Sequence, residues 1–117
     1  MPHIRALFVE NEGVMMLLAE QKTVIRELVA KYTSYQLEEI AFIPDMVPRD
    51  LGEMAENLLP LEFTIDVGVK CAGREEEIVA SIRTELVSGE FARINFGIWL
   101  RTMGSNAFSE YKPDKKK

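Results

Sequence analysis

Pro2 opens a short alternating run, Pro2-His3-Ile4-Arg5-Ala6-Leu7-Phe8-Val9, directly behind Met1. Removal of Met1 would leave a secondary amine at the chain terminus. Such an amine ordinarily titrates at about pH 8, and burial beside cations penalises its charged form, so it can act as a base near neutrality. With Met1 attached the same nitrogen is a tertiary amide and accepts no proton. The structural alternative is that proline simply suits the first position of a strand.

Other side chains could serve that amine. Arg74 follows the Gly73 turn at the mouth of a helix, where backbone N–H groups also attract anions. It could hold a substrate carboxylate, or pair with Glu77. Lys70, at the end of the polar face of a strand, is a second cation. Arg5 and Arg101 lie on strand faces turned away from the helices, where an ion pair with Asp66 or Glu62 competes with substrate contact. His3 is the only histidine, suited either to proton transfer or to a structural hydrogen bond. Trp99 and Tyr111 could wall a planar substrate or pack at a subunit interface. Cys71 suits a small buried hydrophobe. With one histidine and one cysteine the expectation is no metal.

These residues need a scaffold. Alternation predicts a first strand over about residues 3–9, and Asn11 can cap a helix over 12–32 whose apolar stripe runs through Val14, Leu18, Ile25, Leu28 and Val29. A second strand is expected over 35–43, stopping at Pro44, followed by a loop to Leu58 with one helical turn. Leu61, Phe63, Ile65, Val67 and Val69 alternate strictly with polar or small residues, which makes the third strand the clearest. A helix over 75–88 carries Glu75, Glu76 and Glu77 in its first turn, where the helix dipole favours acids. The fourth strand is expected over 92–101, and residues 102–117 as a polar tail anchored by Phe108 and Tyr111.

Two strand–helix–strand halves, about 2–43 and 60–101, thus follow one another within a single domain of residues 1–111, with a Lys-rich flexible tail over 112–117. Right-handed crossovers would lay both helices on one face of a four-stranded mixed sheet, an α+β fold. The opposite face mixes Leu7, Val9, Thr64, Asp66, Asn95 and Trp99. It is too polar for a second core and too apolar for plain surface, so packing against another copy is expected.

The composition, 47% hydrophobic and 28% charged, suits a globular chain of 117 residues. Four of the 14 basic residues and one of the 19 acidic ones stand in the tail, which leaves residues 1–111 with a net charge of −8. Such a body repels phosphate backbones, so no nucleic acid partner is expected. No apolar run has signal or membrane length, so no membrane contact and a cytoplasmic location are expected.

An N-terminal proline on a strand, two strand–helix–strand units and this length together resemble the tautomerase superfamily over most of residues 2–101. The run Lys70-Cys71-Ala72-Gly73-Arg74 and the opening Met-Pro-His resemble 5-carboxymethyl-2-hydroxymuconate isomerases. Pro2-His3-Ile4-Arg5 and Leu59-Pro60-Leu61 are similar to a small bacterial tautomerase-like family of unassigned function. The resemblance implies a homotrimer whose sheets surround a channel, with Pro2 near a subunit boundary. There it would move a proton between carbon and oxygen, or across a conjugated double bond, of a small keto or enol carboxylate, with pocket arginines holding the carboxylate and no cofactor needed. The alternatives are a non-catalytic oligomeric binding module of the same fold, or a related dehalogenase or decarboxylase.

Overall fold

Chain order and pairing in the computed structural model, which describes residues 2–54, 59–68, 71–102 and 106–113, give one mixed sheet of five strands. Strand β1 (His3–Val9) leads into helix α1 (Glu12–Thr33) and returns as β2 (Ala41–Val47), parallel to β1. A short helix α2 (Arg49–Met54) follows. Strand β3 (Leu61–Asp66), helix α3 (Glu75–Val87) and strand β4 (Phe96–Arg101) repeat the arrangement, β4 lying parallel to β3. Strand β5 (Asn106–Tyr111) returns antiparallel along β4. The sheet order is β2-β1-β3-β4-β5, so the two units meet where β1 and β3 pair antiparallel.

Both helices pack on one face, and alternation explains which side chains they cover. Ile4, Ala6 and Phe8, then Leu61, Phe63 and Ile65, then Phe96, Ile98 and Leu100 are buried beneath Val14, Leu18, Ile25 and Val29 of α1 and Ile78, Val79, Ile82 and Leu86 of α3. The centre of this core is aromatic. Phe63, Phe91 and Phe96 meet edge to face at centroid separations of 5.8–6.1 Å, and Tyr111 adds a fourth ring 5.5 Å from Phe96. Edge-to-face contact suits the ring quadrupoles and adds to the burial of large apolar surface.

Local chemistry fixes the helix ends. Asn11 Oδ1 accepts the Val14 N–H at 3.1 Å, capping α1, and Ser34 ends the helix in the left-handed region with its N–H on the Ala30 carbonyl. In α3 no side chain caps the start, but three glutamates occupy the first turn. One of them, Glu75, lies on the buried stripe.

Several elements depart from the sequence expectation. The sheet has five strands, not four, because residues 106–111, expected within a polar tail, form β5. Their alternation is masked: Ala107, Ser109 and Tyr111 face the helices while Phe108 and Glu110 face away, so both faces mix apolar and polar residues. The second strand occupies 41–47 instead of 35–43 and runs through Pro44. An edge strand pairs on one side only, so it tolerates a residue without an N–H. Residues 37–39 form a 3₁₀ turn in which the Glu39 side chain accepts the Gln36 N–H. Arg26 pins that turn to α1 by donating to the Leu37 and Ile40 carbonyls, both at 2.9 Å. The fourth strand begins at Phe96, since residues 90–93 make a second 3₁₀ turn that drives Phe91 into the core. The third strand ends at Asp66; Val69 lies outside the described residues.

Candidate functional site

Pro2 is buried, and its carbonyl accepts the Ala41 N–H at 3.3 Å. Because His3 pairs with Ala41 on one side and Asp66 on the other, Pro2 stands where β2 begins and β3 finishes. The chain beyond β3 and the end of α1 close over the same end of the sheet. Tyr35 Oη accepts the Gly68 N–H at 2.9 Å, and Cys71 is fully buried with its Sγ 3.8 Å from the Thr33 carbonyl. That burial suits a packed thiol better than an exposed nucleophile.

Arg74 belongs to this end too. Gly73 takes φ of 90°, a conformation that side chains disfavour, and turns the chain into α3. The exposed guanidinium of Arg74 then lies at the end of α1, donating to the Tyr32 carbonyl at 3.3 Å. Terminal helix carbonyls attract cations, so this contact orients Arg74 while leaving donors available. Glu75 anchors the turn from beneath. It is 6% exposed, accepts the Gly73 N–H at 2.9 Å through Oε1, and accepts the Thr102 hydroxyl at 2.8 Å through Oε2. Lys70 lies outside the described residues.

The remaining candidates gather on the other face of the sheet. Asp66 accepts from His3 Nε2 at 2.9 Å and from Arg101 through Nε at 2.8 Å and Nη2 at 3.0 Å. The paired hydrogen bonds from Arg101 hold the Asp66 carboxyl below the usual carboxylate range, against the opposing effect of its partial burial. Reciprocally, Arg101 is held even more firmly charged. Arg5, His3, Arg101, Asp66, Asp45, Thr64 and Leu7 line a polar cleft of about 250 Å³. Arg5 makes no hydrogen bond or ion pair to another described residue.

The aromatic candidates separate. Trp99 faces away from the helices, donates Nε1–H to Glu62 at 2.8 Å and stacks on Phe108 with centroids 4.6 Å apart. Tyr111 lies on the helix side and donates its hydroxyl to the Ala92 carbonyl at 2.8 Å. The sequence candidates thus occupy two places: Pro2 and Arg74 at the end of the helix layer, and His3, Arg5, Arg101 and Trp99 on the opposite face.

Sequence reasoning missed two members of the first place. Glu75 was legible in principle, because with Ile78, Val79, Ile82 and Leu86 it completes one helical stripe. Tyr35 carried no such signal, since its partner is 33 residues away. Among the described residues no group of three or more His, Cys, Asp or Glu could hold a metal ion, and no helix is long and apolar enough to cross a membrane.

No family model matches the chain, and no curated protein matches it. Among solved structures it is similar to the crystal structure of Pt0534 inactivated by 2-oxo-3-pentynoate. The two share 11% identity over 86% of this chain and 85% of that one, with a TM-score of 0.50. At that identity the likeness concerns the fold, and the fold is tautomerase-like.

Proposed function

We propose that this chain, once Met1 is removed, is a cofactor-independent tautomerase in which the Pro2 amine carries a proton between oxygen and carbon of a small enol or keto carboxylate. The observation that carries this reading is the burial of Pro2 at the first pair of β1, on a fold similar to that of a protein inactivated by 2-oxo-3-pentynoate. Burial disfavours an ammonium and so favours a free amine near neutrality. That amine takes the enol hydroxyl proton, electron density moves from oxygen through the double bond, and the protonated amine returns a proton to carbon.

Arg74 is the proposed carboxylate anchor, its free guanidinium donors matching two carboxylate oxygens and the negative charge that grows on the enolate. Lys70 is a candidate second cation. His3, Arg5 and Arg101 stand on the helix-free face, where with Trp99 and Phe108 they suit contact with neighbouring copies. A homotrimer built on that face is the proposed assembly, and the cytoplasm its proposed location. Tyr111 supports the core.

Three measurements test this. Intact mass shows whether the mature chain begins at Pro2. The processed protein should convert phenylenolpyruvate to its keto form, and Pro2→Ala should slow it by about 100-fold, the scale of removing a positioned acid–base group. Incubation with 2-oxo-3-pentynoate should add the mass of the whole reagent at Pro2, as the amine bonds to the alkyne carbon and a proton moves to its neighbour. Equal rates for the parent and Pro2→Ala would leave the fold as a binding module.

A further inference from the structure

A cavity of about 290 Å³ opens on the helix side of the sheet, between α1 and the β1–β2 edge. Phe8, Met15, Leu18, Ala19, Phe42 and Pro44 form its walls, and Lys22 is the one charged residue among the described residues that line it. We infer that this cavity is a binding site for a single-chain amphiphile with an anionic head, of the class of a medium-chain carboxylate, with the chain between Phe8 and Phe42 and the carboxylate on Lys22. The cavity runs along β1 from Phe42, next to the Ala41 that bonds the Pro2 carbonyl, to Phe8, six residue steps or about 20 Å of strand from Pro2.

Size, polarity and charge agree on that occupant. The cavity is half open to solvent, and at roughly 30 Å³ per water-sized group it holds about nine or ten such groups. The walls are apolar and partly open to solvent: Met15 is 45% exposed although it flanks the core. An apolar chain would remove that surface from water without leaving a buried polar group unpaired.

The head group follows from the local charge. In a body of strongly negative net charge, the α1 stripe Met15-Leu18-Ala19-Lys22-Arg26 carries no acid, and the facing positions of β2, Phe42, Pro44 and Met46, carry no charge. Arg26 is committed to the Leu37 and Ile40 carbonyls. Lys22 makes no ion pair with another described residue, and its flexible stem can lie along the apolar wall while the ammonium meets an anion at the mouth. Addition of a partner strand to the β2 edge is disfavoured, because Pro44 interrupts the outer row of donors.

Octanoate is the direct probe. Titrated into the full chain carrying ¹³C-methyl methionine, it should saturate and shift Met15 while leaving distant methyl groups unmoved. Lengthening the chain from hexanoate to octanoate should tighten binding by about two- to fourfold per methylene, and the gain should stop once the cavity is full. Lys22→Gln should weaken octanoate at least about fivefold and leave 1-octanol unchanged, as expected for loss of a charge-assisted contact. Ala19→Trp, at an exposed position on the rim, should abolish both while retaining the parent's circular dichroism and melting. The inference is overturned if octylammonium binds as well as octanoate, or if Ala19→Trp binds normally. It is equally overturned if affinity falls as protein concentration rises, which would mean a second copy of the chain fills the groove.

Discussion

The two strand–helix–strand units have the same element order and opposite fates. In the second, β4 is flanked by β3 and β5, five of its six residues are buried or half-buried, and Phe91 enters the core from the turn before it. In the first, β2 is the sheet edge, five of its seven residues are exposed, and a cavity remains between Phe42 and α1. The helices differ as well: α1 runs for 22 residues and α3 for 13. A repeated unit therefore does not produce a repeated environment. What lies on its outer side decides whether it becomes core or site.

The largest test of that contrast is aromatic truncation. Phe96→Ala should cost about 3–5 kcal/mol in urea unfolding, because it empties a ring position enclosed on all sides. Phe42→Ala, half-buried at the open edge, should cost about 1 kcal/mol. Equal losses would mean that the first unit is packed as tightly as the second. Next comes the helix-free face of β4. A methyl group at Gly97 would stand 2.6 Å from the Phe108 ring and 2.9 Å from Leu59, so Gly97→Ala should cost about 1–3 kcal/mol. Ile43→Ala, on the same face of exposed β2, should remain within about 0.5 kcal/mol.

The seam between the units makes a smaller contribution. Asp66 joins β1 to β4 through His3 and Arg101, and Asp66→Asn should cost about 1 kcal/mol or less at neutral pH, discounted because Arg101 is half exposed. The folded carboxyl is held below its unfolded value, so this stability is present above the unfolded value of about 3.9 and is lost as pH falls through the folded one. Urea titrations of the two proteins should therefore converge in acid. The smallest effect belongs to the surface link between helices, where Lys31 and Tyr32 both donate to Glu85. Lys31 is exposed and Tyr32 and Glu85 are half-buried at the surface, within reach of screening solvent. Glu85→Gln should barely change the melting temperature, and added salt should erase what change there is.

How much of this was legible depended on the range of the determining interaction. Strict alternation over Leu61–Asp66 and the stripe from Val14 to Val29 specify a strand and a helix without outside help, as does the Asn11 cap. The strand at 41–47 was misplaced because proline breaks most strands, and only its position at the edge excuses Pro44. The strand at 106–111 was missed because Phe108 pairs with Trp99 and Tyr111 with Phe96 on opposite faces, so its sequence shows no single apolar side. Of the site, Pro2 and Arg74 could be selected as chemical types, yet their location at one end of the sheet follows from pairings more than 35 residues apart.

The sequence by itself determined the two strand–helix–strand units, the acidic body, the helix-facing stripes and the availability of a proline, a histidine and a few arginines near strand ends. These are local properties, set by side-chain period and backbone chemistry within one element. Tertiary structure alone decided which strand became an edge, that Asp66 would collect both His3 and Arg101, that Glu75 would be buried beneath the Arg74 turn, and that space would remain beside Lys22. Each of those outcomes depends on surfaces brought together from distant parts of the chain, where close packing, and not propensity, sets what fits.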